Sequence, residues 1–295
     1  MRTISIISIA TLLLGVVGST AAAQEPHKVY DQDRGELSIG TQIPTRDELM
    51  NVIRSGAPTA LMAMLEYGER LECYECVPLL QKRILESDDA RVREFSAWWL
   101  RRRTFAIGGV MTFMVDTLNN DSDPTRRARA AEAIGEFLSP VGLEPLTDAA
   151  MNDAATPVRE AAVRGLGRLN HPDGNGVLAE AMADPDAKVR RAALSQVLKV
   201  NFFREHGAIL DALGDEDPVV RRKAAKLAGE FELTDAVPAL TGMLRGDDSR
   251  DVRQAAAWAL GRIGGTEAFE ALAQAQESES NKLVLDAIEV ARAMR

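Results

Sequence analysis

One short pattern returns six times along this 295-residue chain. It reads DDARVREFSAWWLRRR from Asp88, DSDPTRRARAAEAIGEF from Asp121 and DAATPVREAAVRGLGRL from Asp153. It comes again as DPDAKVRRAALSQVLKV from Asp184, DEDPVVRRKAAKLAGEF from Asp215 and DDSRDVRQAAAWALGRI from Asp247. The arginine near its centre is Arg93, Arg127, Arg159, Arg190, Arg221 and Arg253, at spacings of 34, 32, 31, 31 and 32 residues. A period of this size holds two helices and two turns, and so restricts the chain to a stacked array.

Within each period the first helix is seen in AVPALTGMLRGD (Ala236–Asp247), GNGVLAEAMAD (Gly174–Asp184) and HGAILDALGDE (His206–Glu216). Apolar residues recur there at i, i+3, i+4 and i+7, one helical stripe. An Asp-rich turn, often with Pro, closes it and caps the second helix. That helix carries Ala where two helices must approach closely, and a Gly near its end that reads as a C-terminal stop. One such pair cannot bury its apolar face, whereas stacked copies can. The expected fold is all-α: an α-solenoid, or superhelix, of antiparallel helix pairs, about eight counted from Thr45.

The pattern DPxVRxxAAxxLGxL resembles HEAT repeats of the short kind named for phycobilisome (PBS) lyases, and the resemblance covers residues 77 to 295. It implies a solenoid and an interaction role rather than any one activity. In resembling repeats the turn acids and the six arginines form a ladder between neighbours, which fixes stacking. The last pair, over 266–295, has NKLVLDAIEVARAM where the Asp turn and Arg are expected, as suits a solvent-facing cap.

Residues 1–23, MRTISIISIATLLLGVVGSTAAA, combine Arg2, an apolar run and small residues ending at Ala23. That is the layout of a secretory leader, with an uncleaved anchor as the other reading. The expected organisation is a leader over 1–23, a flexible arm over 24–44 and a solenoid over 45–295. The solenoid divides into N-terminal cap pairs (45–103), regular repeats (110–263) and a C-terminal cap (266–295). Taken with the repeat resemblance, these features predict an exported bacterial protein, periplasmic or secreted, with no stable membrane insertion after cleavage. A net charge of −9 lacks the basic footprint of a nucleic-acid binder.

Departures from the repeat mark candidate binding residues. Five residues after the repeat arginine stand Trp98, Glu132, Arg164, Ser195, Lys226 and Trp258. Four of the six are polar, so this position is expected to face water, and Trp there is a typical interface anchor. The competing reading packs Trp98 and Trp258 over local loops or a terminus. The helix from Asp88 ends Trp98-Trp99-Leu100-Arg101-Arg102-Arg103, with Arg103 at a position occupied elsewhere by Phe137, Leu169, Phe231 and Ile263. A longer or rotated helix is expected here, followed by an apolar insertion, TFAIGGV. Two indoles beside three guanidiniums suit an acidic peptide, a carboxylate or an anionic head group; a solvated basic helix end is the alternative.

Cys73 and Cys76 are the only cysteines, spaced C-x-x-C. Cys76-Val77-Pro78-Leu79-Leu80 aligns with Ala236-Val237-Pro238-Ala239-Leu240, which puts Cys76 at the start of a first helix. Val77 stands where haem attachment needs His. A structural zinc lacks nearby partners, because His27, His171 and His206 lie far apart. A short structural disulfide, a redox or partner-linking thiol pair, and metal capture with a partner remain. The sequence holds no G-x-S-x-G, H-E-x-x-H or Gly-rich phosphate loop, nor the His-Glu pairs that HEAT-like metal hydroxylases use. The expected function is a non-enzymatic protein-interaction scaffold outside the cytoplasm, with no cofactor. The alternative is a thiol-redox or cytochrome-assembly helper using Cys73 and Cys76.

Overall fold

The structure, a computed structural model, describes residues 44–294. The leader expected over 1–23, and all of the arm expected over 24–44 except Pro44, lie outside them. Among the described residues there are sixteen α-helices and no strand. They form two compact bodies, which divide after Cys73, so the cap region read from the sequence as 45–103 is split between them.

The first body holds α1 (Arg46–Ser55) and α2 (Pro58–Tyr67). Thr45 opens α1 with a capping box: its Oγ1 accepts the Glu48 amide, and Glu48 accepts the Thr45 amide at 2.8 Å. Leu49, Ile53, Leu61, Met64 and Leu65 form its core.

The second body is a solenoid of seven helix pairs. They are α3 (Cys76–Glu86) with α4 (Ala90–Arg101), α5 (Ile107–Asn120) with α6 (Pro124–Glu136), and α7 (Leu143–Asn152) with α8 (Thr156–Leu169). Next come α9 (Gly174–Ala181) with α10 (Ala187–Gln196), α11 (His206–Ala212) with α12 (Pro218–Glu230), and α13 (Val237–Gly246) with α14 (Arg250–Ile263). The last pair is α15 (Gly265–Ser278) with α16 (Lys282–Arg292). Each second helix packs against the second helix of the next pair, and each first helix lies beside its own partner.

Side-chain caps start these helices. Asp89, Asp123, Asp186 and Asp217 each accept an amide two residues ahead, which satisfies a donor that the helix leaves unpaired. The ends differ from expectation. Gly135, Gly167, Gly229 and Gly261 are not stops but lie inside helices, buried, where small size lets neighbours touch. A Cβ on Gly261 would sit 2.7 Å from the Ala291 Cα, and one on Gly229 would sit 2.6 Å from the Trp258 ring. The left-handed residue that turns the chain comes three residues later, at Leu138, Asn170, Glu232 and Gly264, and Phe202 does the same after α10. Only one of these five is a glycine, so the consensus glycine reports packing.

Candidate functional site

From α6 to α16 the repeat arginines build an unbroken ladder. Arg127 donates from Nε and Nη2 to both oxygens of Asp153, each at 2.9 Å. The same fork joins Arg159 to Asp184, Arg190 to Asp215, Arg221 to Asp247 and Arg253 to Glu279. Each arginine also donates from Nη1 to the carbonyl of the acid that opens its own turn, as Arg159 does to Asp153 at 3.0 Å. Each of those acids in turn accepts an amide two residues on, as Asp153 does from Ala155 at 2.8 Å. A planar fork with five donors fits this double task, which a lysine could not perform. Burial pushes the Asp153 carboxyl up, but the Arg127 fork, the Ala155 amide and the charges of Arg127 and Arg159 hold it below its usual range. Asp247 is lowered in the same way, and Glu279 is lowered chiefly by Arg253.

The first rung is different. In the regular rungs the acid lies 25 or 26 residues beyond the arginine. Asp121 lies two residues further from Arg93, because the Ile107–Val110 part of the apolar insertion joins α5 and lengthens it. Arg93 turns instead to Glu132 on α6, at 3.1 Å, and Asp121 takes Arg126 at 2.7 Å. Arg129 of α6 reaches back to Asp88 and to the Leu85 carbonyl.

This break leaves a cavity of about 280 Å³ on the second-helix face, between α4, α6 and α8. Arg93, Glu94, Glu132, Glu136, Arg164 and Arg168 line it, over a floor that includes Ala97, Ala133 and Gly165. The face is concave here. Arg168 of α8 reaches past α6 to Glu94 of α4 at 2.9 Å, and also pairs with Glu136. The Arg168–Glu94 pair is about half exposed on both sides, and such pairs add little to stability.

The residues singled out from sequence fall into three groups. Trp98 is half-buried on the outer surface of α4, one turn beyond Glu94, with the Arg102 guanidinium 4.5 Å from its ring centre and Phe95 at 5.8 Å. Trp99 is fully buried and is core, not a binding residue. Its register shows why: the same position holds Ala133, Gly165, Gln196, Leu227 and Ala259, all buried. Arg103 is only 7 % exposed, with its guanidinium 3.7 Å above the Trp99 ring. The helix is therefore neither longer nor rotated, for α4 ends at Arg101. The buried position takes an arginine because an aromatic face receives its charge. Arg101 donates to the Glu136 carbonyl at 2.9 Å and ties α4 to α6. Trp258 lies against Gly229 of the preceding second helix, a packing role.

Cys73 and Cys76 are fully buried and both are disulfide-bonded, so neither is a free thiol. His206 begins α11 with its ring 5.0 Å from Phe231, and His171 sits 3.7 Å from Asp173. Among the described residues no group of three or more His, Cys, Asp or Glu side chains is placed to hold a metal ion. None of the described helices is long and apolar enough to cross a membrane.

A family model for HEAT repeats matches residues 111–199 and 208–292. A search of curated proteins finds no match. Among solved structures, the Escherichia coli protein YibA is similar over 84% of this chain and 92% of its own, at 16% identity and a TM-score of 0.56. Kap95p, solved with RanGDP, matches over 83% of this chain and 38% of its own, at 16% identity and a TM-score of 0.59. Importin β matches over 83% of this chain and 41% of its own, at 14% identity and a TM-score of 0.59. At such identities the likeness is one of fold.

Proposed function

Since this chain belongs to the HEAT-repeat family, we propose that it is a binding scaffold, holding a partner protein in the groove between α4, α6 and α8 outside the cytoplasm. The observation that carries this reading is the broken rung at Arg93. From α6 onward the repeat arginines are spent on neighbouring turns, whereas here the rung is missing and the second helices of three successive pairs line one charged cavity. The Arg168–Glu94 pair across its mouth is about half exposed on both sides. A partner that supplies its own charges can replace Arg168–Glu94 at little cost. Trp98, with Arg102 over its ring, stands one turn away and gives a half-buried aromatic anchor of the kind that dominates interface energies. The leader-like residues 1–23 support an exported location, as does a fully disulfide-bonded cysteine pair, which persists in oxidising compartments. With both sulfurs bonded and buried, the pair reads as structural rather than as a working dithiol.

The test is recovery of partners from the exported fraction with the wild type, Trp98→Ala and Glu94→Arg. Loss of the same band from both variants, with unchanged circular dichroism, is expected. Equal yields in all three would remove the groove as the site. Finding the chain only in the cytoplasm would remove the location.

A further inference from the structure

Charge is sorted by face in the middle of the solenoid. On the second-helix side, α10 carries Lys188, Arg190 and Arg191 and no acid, while α12 carries Arg221, Arg222, Lys223 and Lys226 against Glu230 alone. The first helices of the same stretch are the reverse. Glu144 and Asp148 on α7, Glu180 on α9 and Asp211 on α11 meet no Lys or Arg in those helices. A merely solvated surface mixes its signs.

The ladder engages Arg190 and Arg221. Arg191 pairs with Asp217, and Arg222 lies 3.6 Å from Asp251. Four lysines on or beside these two helices are left over. Among the described residues Lys188 at the start of α10, Lys199 in the turn after it, and Lys223 and Lys226 of α12 have no carboxylate at ion-pair distance, and the last three lie together. Lys223 donates to the Ser195 hydroxyl at 2.7 Å, and that hydroxyl donates to the Arg191 carbonyl at 2.6 Å. A neutral chain of hydrogen bonds thus fixes the ammonium among other cations. Burial, with the charges of Arg222, Lys226, Lys199 and Arg191, holds the Lys223 ammonium below the usual lysine range. Keeping a half-buried cation against four like charges is unfavourable, and an arriving anion relieves it.

We propose that the strip of Lys199, in the turn that follows α10, and Lys223 and Lys226, on α12, is a docking site for a carboxylate-rich polypeptide segment of a partner protein. Nucleic acid fits it poorly. Neither α10 nor α12 carries an aromatic side chain on which bases could stack, and the chain as a whole is at −9. Three ammoniums without a carboxylate partner match a few carboxylates. This strip is a different stretch of the second-helix face from the groove at α4–α8, and either can fail alone.

The experiment measures fluorescence anisotropy of a labelled glutamate-rich peptide with the full chain. A serine-rich peptide and a single-stranded oligonucleotide serve as competitors. The glutamate-rich peptide is expected to bind, and to weaken as salt is raised. The Lys199→Glu/Lys226→Glu double variant should bind it about tenfold or more weakly, and Lys223→Met several-fold more weakly, with unchanged thermal midpoints. Trp98→Ala should bind it as the wild type does, which separates this site from the groove. No binding, equal binding by the lysine variants, or tighter binding of the oligonucleotide would overturn the proposal. So would self-association of the wild type that the same substitutions abolish, which would make a second copy the occupant.

Discussion

The stretch from α6 to α16 and the junction between α4 and α6 solve one problem in two ways. In the former, a guanidinium fork links each turn to the next and small residues let helices close on one another. At the latter the fork misses its turn, and a buried Trp99 with Arg103 on its face, plus Arg101 on the Glu136 carbonyl, hold the pair in place. The regular solution repeats the same fork from turn to turn. The irregular one leaves its arginine and acid free to take other partners, Glu132 and Arg126, beside the cavity between α4, α6 and α8.

The largest expected effect tests the irregular end. Trp99→Ala empties a buried indole volume and strands the Arg103 charge, so it should lower stability by about 3–5 kcal/mol in urea unfolding. A cost under about 1 kcal/mol would mean that the ladder, not the stack, holds α4. Next comes a matched pair of turn acids. Asp153→Ala removes a half-buried partner of Arg127 and an amide acceptor at once, and should cost about 2–3 kcal/mol. Asp121→Ala removes only the more exposed Arg126 pair and its own turn amide, and should cost about 1 kcal/mol. Equal losses would erase the distinction between the two regions.

Acid sharpens the same contrast. The folded carboxyls of Asp153, Asp247 and Glu279 lie below their usual values, so the unfolded chain binds protons first. Their contribution is complete above the unfolded values, near pH 4, and falls away as pH drops through the lower folded ones. The Trp99–Arg103 stack has no group that titrates there. Hydrogen exchange should therefore show protection fading in α8–α14 below about pH 4 before it fades around Trp99 in the last turn of α4, away from the Asp89 cap, and Asp247→Asn should flatten the acid slope.

Much of this was legible in the sequence, for a physical reason. Helix pairing, the number of repeats and the acid–arginine register follow from a period that must be kept for stacked faces to meet. Trp99 was legible too: its register mates Ala133, Gly165, Gln196, Leu227 and Ala259 are small or mostly apolar, which marks the core, yet its neighbour Trp98 drew it into the candidate site. The helix stops were not legible, since Leu138, Asn170, Phe202 and Glu232 share a backbone geometry and no side-chain chemistry. Nor was the groove. The 34-residue spacing announces an insertion, but only packing shows that it carries Asp121 out of reach of Arg93. The cations of α10 and α12 can be counted along the chain, whereas which of them find carboxylates, as Arg190 and Arg221 do and Lys223 and Lys226 do not, is a fact of three dimensions.

Asp153, Asp184, Asp215 and Asp247 each meet two arginines, their own through a carbonyl and the preceding one through a carboxylate. The four junctions at these aspartates are thus chemically the same, like links cut from one die. Removing residues 154–184 would set Asp153 directly before Pro185, so that Arg127 would still find a carboxylate and Arg190 a carbonyl. Such a chain can lose or gain a link in a single genetic event and close up again. The joint at Arg93 has no such freedom, and a lineage that lengthens or shortens this protein is expected to leave it alone.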